Sequence, residues 1–496
     1  MKLLKILPFI LILLFSTCKK DDSEILKTVT NETSFELLTP QEINTAIKKS
    51  IEKTGDFNWK NADDNMLWSA VIHGDSILTV GFGSKEFIEG TDKLNSDLRK
   101  SLIDEIILSE GNAEKTNIVI HQDEFLTYFD IKVSKIETIA LLRSNPNVRY
   151  AEPSGYRFFD YEATEKSDSG CDTGSDVINT ADYRLIAPNC YVSWVYDKHN
   201  IPSAWNISTG RGITVGVVDT GISPYQSLLN ASFNDGYSTG RTVQKYGTYT
   251  ESIWYWVTTT DGPDDKCSHG TSMSSNVASP RNDNYMPVGV AYNCNLISYR
   301  GTSDVLLDDY HEQRGVADAI TALANRSDLK IISMSVGYIF TISKISDAVK
   351  YAYSKGKLIF AAGGTSTSFT NFVGVIFPAS MAECNAVTGV TDGGSTDACD
   401  VCHWGSQIDF TVVMQRYYDG NRTSPTTGFY ENSKQYVGGS SIATSTMAGI
   451  AALVWAKYPT WTRDQVLTKL IQSSEFYPYK NADFGYGSVD AYKAVL

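Results

Sequence analysis

The chain has 496 residues, 42% apolar and 20% charged, with 37 Gly and 14 Pro; 57 acidic against 43 basic side chains leave a net charge of -14. That composition is globular and long enough for two or three domains, and it excludes a disordered tail, a collagen repeat and a coiled coil. The negative balance, with no Lys/Arg cluster, excludes general nucleic-acid binding, which needs a positive field to release counterions from phosphate.

The chain opens on an apolar run from Ile6 to Phe15, with Lys2 and Lys5 around it. About ten helical residues span about 15 Å, half a bilayer, so the run reads as an export signal and not as a membrane span. Its end, Leu-Phe-Ser-Thr-Cys at Leu14 to Cys18, is followed by Lys-Lys-Asp-Asp and resembles the lipobox of bacterial lipoproteins. The resemblance implies a signal peptide over 1–18 and a diacylglycerol on Cys18, the link to the membrane. The charged start after Cys18 resembles the surface-export tag of outer-membrane lipoproteins in Gram-negative groups related to Bacteroides and Flavobacterium. Export, anchoring to the outer membrane and exposure on the cell surface are therefore expected; the plain alternative is a secretory signal with an incidental Cys.

Residues 19–115 read as a tether followed by a helical pro-region, with helices at Thr39 to Thr54 and Lys93 to Ser109. Over 116–155 the pattern changes to strand, strand, helix, strand. The strands are Asn117 to His121, Tyr128 to Val133 and Val148 to Pro153, and the helix is Ser134 to Asn145, a small α/β unit. From 156 to 496 a larger domain is expected. Its buried strands at Gly212 to Gly221, Gly289 to Arg300, Leu329 to Gly337 and Lys357 to Gly364 alternate with helices at Val316 to Arg326 and Ile342 to Gly356. Near-continuous apolar strands separated by helices predict an α/β fold, a parallel sheet covered by helices on both faces.

Of eight Cys, seven remain after Cys18, so at most three disulfides form. Cys171 with Cys190 is an easy local pair, Cys267 with Cys294 a second, and Cys384 with Cys399 or Cys402 a third. Cys399 and Cys402 also have the spacing of a zinc or redox pair beside His403, but no second pair follows, and a structural disulfide is the better reading.

Three reactive side chains stand at element boundaries. Asp219 ends the strand Val-Gly-Val-Val-Asp, His269 precedes a small-residue helix from about Gly270, and Ser441 follows paired glycines at the start of an apolar helix from Ile442. Ligands gather at the carboxyl ends of parallel strands, and the amide groups at a helix start stabilise a developing oxyanion. A serine hydroxyl needs a base to take its proton, a neutral histidine is that base, and a buried carboxylate holds its tautomer. The segment around Ser441 half-matches the nucleophile elbow of α/β-hydrolases, but the chain order Asp, His, Ser is that of subtilisin.

These segments resemble the subtilisin-like serine proteases. Thr214 to Ile222 is similar to the family's Asp motif, Ser268 to Ala278 to its His motif and Gly438 to Gly449 to its Ser motif. Ile332 to Gly337 resembles the strand lining the first specificity pocket, Gly485 to Val495 the closing segment, and 117–153 more weakly the propeptide. The resemblance implies a serine endopeptidase acting through Asp219, His269 and Ser441 and an acyl-enzyme, on peptides or proteins. It implies that the chain's own propeptide is its intramolecular inhibitor, cut off near Pro153 to Tyr161. Pocket walls are expected at Ser335, Val336 and Gly337 and at Ala361, Ala362 and Gly363; no acidic residue stands in them, which points to apolar or broad preference. No cofactor or metal is needed for the chemistry. Structural calcium would draw on Asp261, Asp264 and Asp265 or on Asp308 and Asp309, neither set an EF-hand loop.

Two positions depart from the family pattern. Ser445 stands where the motif has Pro, and Gly364 where an Asn donates to the oxyanion, a donor whose loss costs about 100- to 1,000-fold in rate. Thr365, Ser366 and Asn371 are candidate replacements. Gly364 also motivates the alternative of an impaired or only self-maturing surface binding protein with this fold; a transpeptidase is a third reading. The aromatic insert from Phe233 to Lys266 is expected either near the cleft or as a surface hairpin packed on the body.

Overall fold

The computed structural model describes residues 36–88, 93–161, 170–365 and 373–496, of which Leu37–Leu496 form one unit. Cys18 and the signal run lie outside the described residues, as do Ser366 and Asn371. Seven parallel strands make the main sheet, in the order Ile408–Gln415, Asn385–Thr391, Leu358–Ala362, Leu329–Met334, Thr214–Asp219, Asn295–Arg300 and Val243–Gly247. Its inner strands Thr214–Asp219, Leu358–Ala362 and Asn385–Thr391 are buried throughout, because helices cover both faces. The helices His269–Ala278 and Gly439–Lys457 bury one face, and Tyr310–Ala324 and Ser343–Ser354 bury the other. The strand order runs both ways from Thr214–Asp219, so a crevice opens at the carboxyl ends of this strand and Leu329–Met334.

The aromatic insert packs on the body, as one of its two expected readings had it, but through a strand of the main sheet and not a hairpin. Val243–Gly247 is the edge strand of the main sheet, Tyr246 stacks on Tyr299, and beyond it Trp254 stacks on Trp256 at the surface.

Residues 37–161 build an antiparallel sheet ordered Val119–Gln122, Tyr128–Lys132, Ile77–Phe82, Val148–Glu152. The boundary expected at residue 116 therefore cuts through one sheet. The inner strand Ile77–Phe82 and the helix Asp64–His73 come from 19–115, the stretch read as a tether and helical pro-region, in which neither element was expected. Both are short and buried, and a six-residue run buried on both faces carries no alternation to betray it. The sheet packs on the helices Tyr310–Ala324 and Ser343–Ser354, and one apolar cluster runs through both, from Phe82, Phe129 and Ile131 to Ala317, Ile320 and Ile345. Polar contacts fix the docking. Arg149 forms a two-pronged pair with Asp347 at 2.7 and 3.0 Å, Glu152 accepts from Ser343 N and Oγ, and Phe159 N donates to Asp308.

Among the described residues, disulfides join Cys171 to Cys267 and Cys399 to Cys402, while Cys190, Cys294 and Cys384 are buried thiols. The local pairing of Cys171 with Cys190 is overturned: Cys190 begins a strand packed in the core, and Cys171 lies at the crevice instead. The pairing of Cys267 with Cys294 and the bridge to Cys384 fall with it, and zinc at Cys399 and Cys402 is excluded by the S–S bond.

Candidate active site

Asp219 is fully buried at the end of its strand; its Oδ1 accepts from Thr220 N and lies 2.8 Å from His269 Nδ1. The two turns that carry them are clamped together. Gly270 N donates to Thr220 Oγ1 at 2.8 Å, and a Cβ on Gly270 would stand 2.5 Å from Gly221 O, so only glycine allows the approach. The His269 helix begins one residue earlier than expected, after Ser268 in the left-handed region at φ 83°.

Asp265 holds that turn. Its Oδ1 accepts from Cys267 N and Ser268 N, and its Oδ2 from Thr271 N and Oγ1, at 2.6–3.0 Å. Four donors engage the carboxylate and tie the turn to the first residues of the helix that begins at His269. Asp308 and Asp309 are engaged likewise: Asp308 accepts from Phe159 N and Tyr338 OH, and Asp309 caps the helix Tyr310–Ala324 and pairs with Arg157. Asp265, Asp308 and Asp309 thus each accept from protein donors, and Asp261 accepts from Glu251 N. Among the described residues, the metal-type donors that converge are His121, Asp123 and Asp318, all within 4.8 Å. Arg314 Nε, 3.6 Å from Asp318, offsets their negative charge.

Burial alone lowers the pKa of His269, but the charge and hydrogen bond of Asp219, with Asp265 and Asp304 behind, outweigh it and hold the imidazole above its ordinary value.

Ser441 is the third residue of the helix Gly439–Lys457, half-buried, with its carbonyl accepting from Ser335 Oγ at 3.1 Å. By length and composition this helix is apolar enough to cross a membrane, but 89% of its apolar window is buried in the domain. Ser445, in place of proline, accepts from Asn276 Nδ2 at 2.9 Å and so ties this helix to the His269 helix. The hydroxyl supplies a cross-helix bond that a proline ring could not.

His269 and Ser441 line one cavity of about 260 Å³. Ser335, Val336, Gly337, Ala362 and Gly364 line it too; Ala361 and Gly363, also expected in its walls, are buried behind it in the sheet. Among the lining residues that sequence reading missed are Gly170, Asp172 and Gln435. Gly170 and Asp172 reach the cavity because Cys171 is bonded to Cys267 and Asp172 N donates to Cys267 O. Gln435 joins the two sides, accepting from Ser268 Oγ and Ser272 Oγ and donating to Asp172 O. Nothing in the local sequence marks any of the three.

Residues 210–487 match the subtilase family, Peptidase S8. The chain belongs to that family. It is 26% identical over 291 residues to subtilisin from Bacillus sp. (strain TA39), covering 56% of this chain and 65% of that relative. To subtilisin BL of Lederbergia lenta it is 28% identical over 315 residues, 62% of this chain and 96% of the relative. A solved protease from Pseudoalteromonas arctica PAMC 21717 is 24% identical, with a TM-score of 0.47 over 60% of this chain and 93% of its own. In this subtilase the central parallel sheet and its covering helices set the Asp219, His269 and Ser441 turns at one crevice.

Proposed function

We propose that this subtilase is a serine endopeptidase with Ser441 as nucleophile, His269 as general base and acid, and Asp219 as the carboxylate that orients it. The observation that carries this is the 2.8 Å contact of His269 Nδ1 with Asp219 Oδ1 at the wall of a cavity shared with Ser441. In this reading the imidazole keeps its Nδ1 proton and donates it as a hydrogen bond to Asp219 Oδ1, which leaves Nε2 to take the Ser441 proton. Ser441 Oγ attacks the peptide carbonyl, the tetrahedral oxyanion forms beside the Ser441 N–H, and His269 passes its proton to the leaving amine. Water then repeats the cycle on the acyl-enzyme.

The cavity walls Val336, Tyr338, Ile339, Ala362 and Ile376 favour an apolar side chain at the cleavage position. Among the described lining residues the one carboxylate is Asp172, whose Oδ1 already accepts from Gly174 N. Residues 37–161 serve in this reading as the folding propeptide and inhibitor, docked through Arg149, Glu152 and the shared apolar cluster. Cys18 carries the lipid that holds the chain at the outer membrane, on the cell surface.

The test is a soluble chain from Lys19 onward, weighed intact before and after fluorophosphonate, with Ser441→Ala beside it. A shortened wild type bearing one adduct, and a full-length unlabelled variant, are expected. Identical processing of both chains without added protease would remove self-maturation. A second reading, a binding protein with the same fold, rests on Gly364; an adduct on Ser441 rules it out.

A further inference from the structure

Gly364 removes a side-chain donor from the oxyanion region, yet the space beside it is filled. Its φ is 123°, and a Cβ built there would stand 2.4 Å from His403 Nδ1 and 2.9 Å from His403 Cγ. The imidazole is buried and cross-tied: His403 N donates to Gly364 O at 3.0 Å, and Nδ1 lies 2.8 Å from Gly374 O. Thr365 bridges to Cys402, itself locked to Cys399. No longer side chain fits at 364 while His403 keeps its place. The wall has been rebuilt around a glycine.

The next residue carries a hydroxyl to the same spot. Thr365 Oγ1 accepts from Ser440 N at 3.3 Å and lies 3.2 Å from Ser440 Oγ, which in turn accepts from Gly364 N at 3.1 Å. Thr365 thus sits over the first turn of the nucleophile helix, on the amide that immediately precedes the Ser441 amide. N–H groups of a first helical turn have no partner within the helix and share a direction, so an oxygen held by the Ser441 N–H comes within reach of a hydroxyl held by the Ser440 N–H. A threonine hydroxyl accepts and donates at once, and it turns about its C–O bond to aim its proton. Thr365, Ser440 and Ser441 all line the one cavity.

We infer that Thr365 is a catalytic residue whose hydroxyl donates the second hydrogen bond to the oxyanion, with His403 as the positioning residue that holds the Gly364–Thr365 segment; this rests on Ser441 being the nucleophile. No bond is made or broken at Thr365. Its proton stays on Oγ1 and swings from its resting partner to the carbonyl oxygen as charge develops there.

The experiment compares wild type, Thr365→Val, Thr365→Ser and Gly364→Asn. It measures self-processing, fluorophosphonate labelling of Ser441 and turnover of a fluorogenic peptide with an apolar residue at the cleavage position. Thr365→Val keeps the shape and loses the donor. It should lower kcat by about 100- to 1,000-fold with little change in KM, slow labelling in parallel and accumulate precursor. Thr365→Ser should restore most of the rate, which a purely packing role for the methyl group would not allow. Gly364→Asn should fail to raise the rate above wild type, and Gly364→Asn with His403→Ala should do better than Gly364→Asn alone. A Thr365→Val enzyme that turns over and labels like wild type overturns the inference and leaves the peptidase standing. So does a faster Gly364→Asn. A wild type whose Ser441 never labels overturns both. The thermal midpoint of each variant separates lost folding from lost chemistry.

Discussion

Lys344 Nζ lies 3.1 Å from Asp130 Oδ1, and both side chains are fully buried. Lys344 comes from a helix covering the main sheet and Asp130 from the N-terminal sheet, so the pair is the polar centre of the docking between residues 37–161 and the main-sheet body. Taking two charges out of water is repaid only when their remaining valences are met. Here Thr79 Oγ1 and Tyr310 OH also donate to Asp130. Removing one partner strands the other charge. Lys344→Met should therefore cost about 3–5 kcal/mol, and Lys344→Met with Asp130→Leu distinctly less. Denaturant unfolding of the Ser441→Ala chain, which stays uncut, measures both. Equal losses in the single and double variants would show that packing and not charge controls the junction.

Glu152 gives the same junction a pH dependence. Burial, with Asp347 nearby, outweighs the hydrogen bonds from Ser343 and the charge of Lys344, and pushes its carboxyl up to about 7. Arg149 and Tyr150 also engage Asp347, so the groups facing Glu152 are themselves paired. Undocked, Glu152 returns to the ordinary glutamate range. The docked form then holds its proton more tightly, and linkage sets the sign: docking is strongest in acid and weakens as the pH rises through about 7. After cleavage, release of the N-terminal piece should be faster at pH 8 than at pH 5, read by size-exclusion or by recovery of peptidase activity. Glu152→Gln should flatten the dependence; an unchanged profile would assign it to another group.

The parts legible in the sequence were those written in continuous text. Four strands of the parallel sheet show because they are largely apolar runs set between helices, whereas the inner strand Asn385–Thr391, broken by Asn385, Thr388 and Thr391, did not; the Asp219, His269 and Ser441 turns stand out because glycine and small residues crowd around each. The edge strand Val243–Gly247 did not show, since an edge strand is half-exposed and its text is Val-Gln-Lys-Tyr-Gly. Asp265 shows why spacing alone does not assign a carboxylate: an acceptor that holds a turn and a metal ligand are the same residue type, and the four donors around Asp265 come together only in the fold. The Cys171–Cys267 bond, 96 residues apart in sequence, is a tertiary fact that no local spacing encodes.

That disulfide has its own consequence. It closes a loop of nearly a hundred residues and fixes the Gly170–Asp172 segment to Cys267, which stands two residues before His269. Replacing Cys171 and Cys267 together by Ser should cost about 2–4 kcal/mol, by freeing the unfolded chain. Non-reducing peptide mapping should recover Cys171 joined to Cys267. Cys190, Cys294 and Cys384 should resist alkylation until the protein unfolds, since all three thiols are buried. A Cys171–Cys190 peptide in the native map would contradict the arrangement.

The pH profile of catalysis tests the Asp219–His269 contact directly. Burial lowers the histidine pKa and Asp219 more than restores it, so in the free enzyme His269 titrates above its ordinary value near 6.5. Only the neutral imidazole can take the Ser441 proton, so kcat/KM should fall on the acid side with a midpoint above 6.5. Asp219→Asn keeps the shape, but it removes the charge that raises the pKa and favours the wrong tautomer. Two changes should follow together: a loss of about 10⁴-fold in kcat and an acid limb displaced to lower pH. A variant that lost rate with its acid limb in place would mean that His269 is not the group seen in the profile. Were neither to change, Asp219 would be a structural carboxylate and the base would be oriented from elsewhere, with Asp265 and Asp304 the next charges to remove.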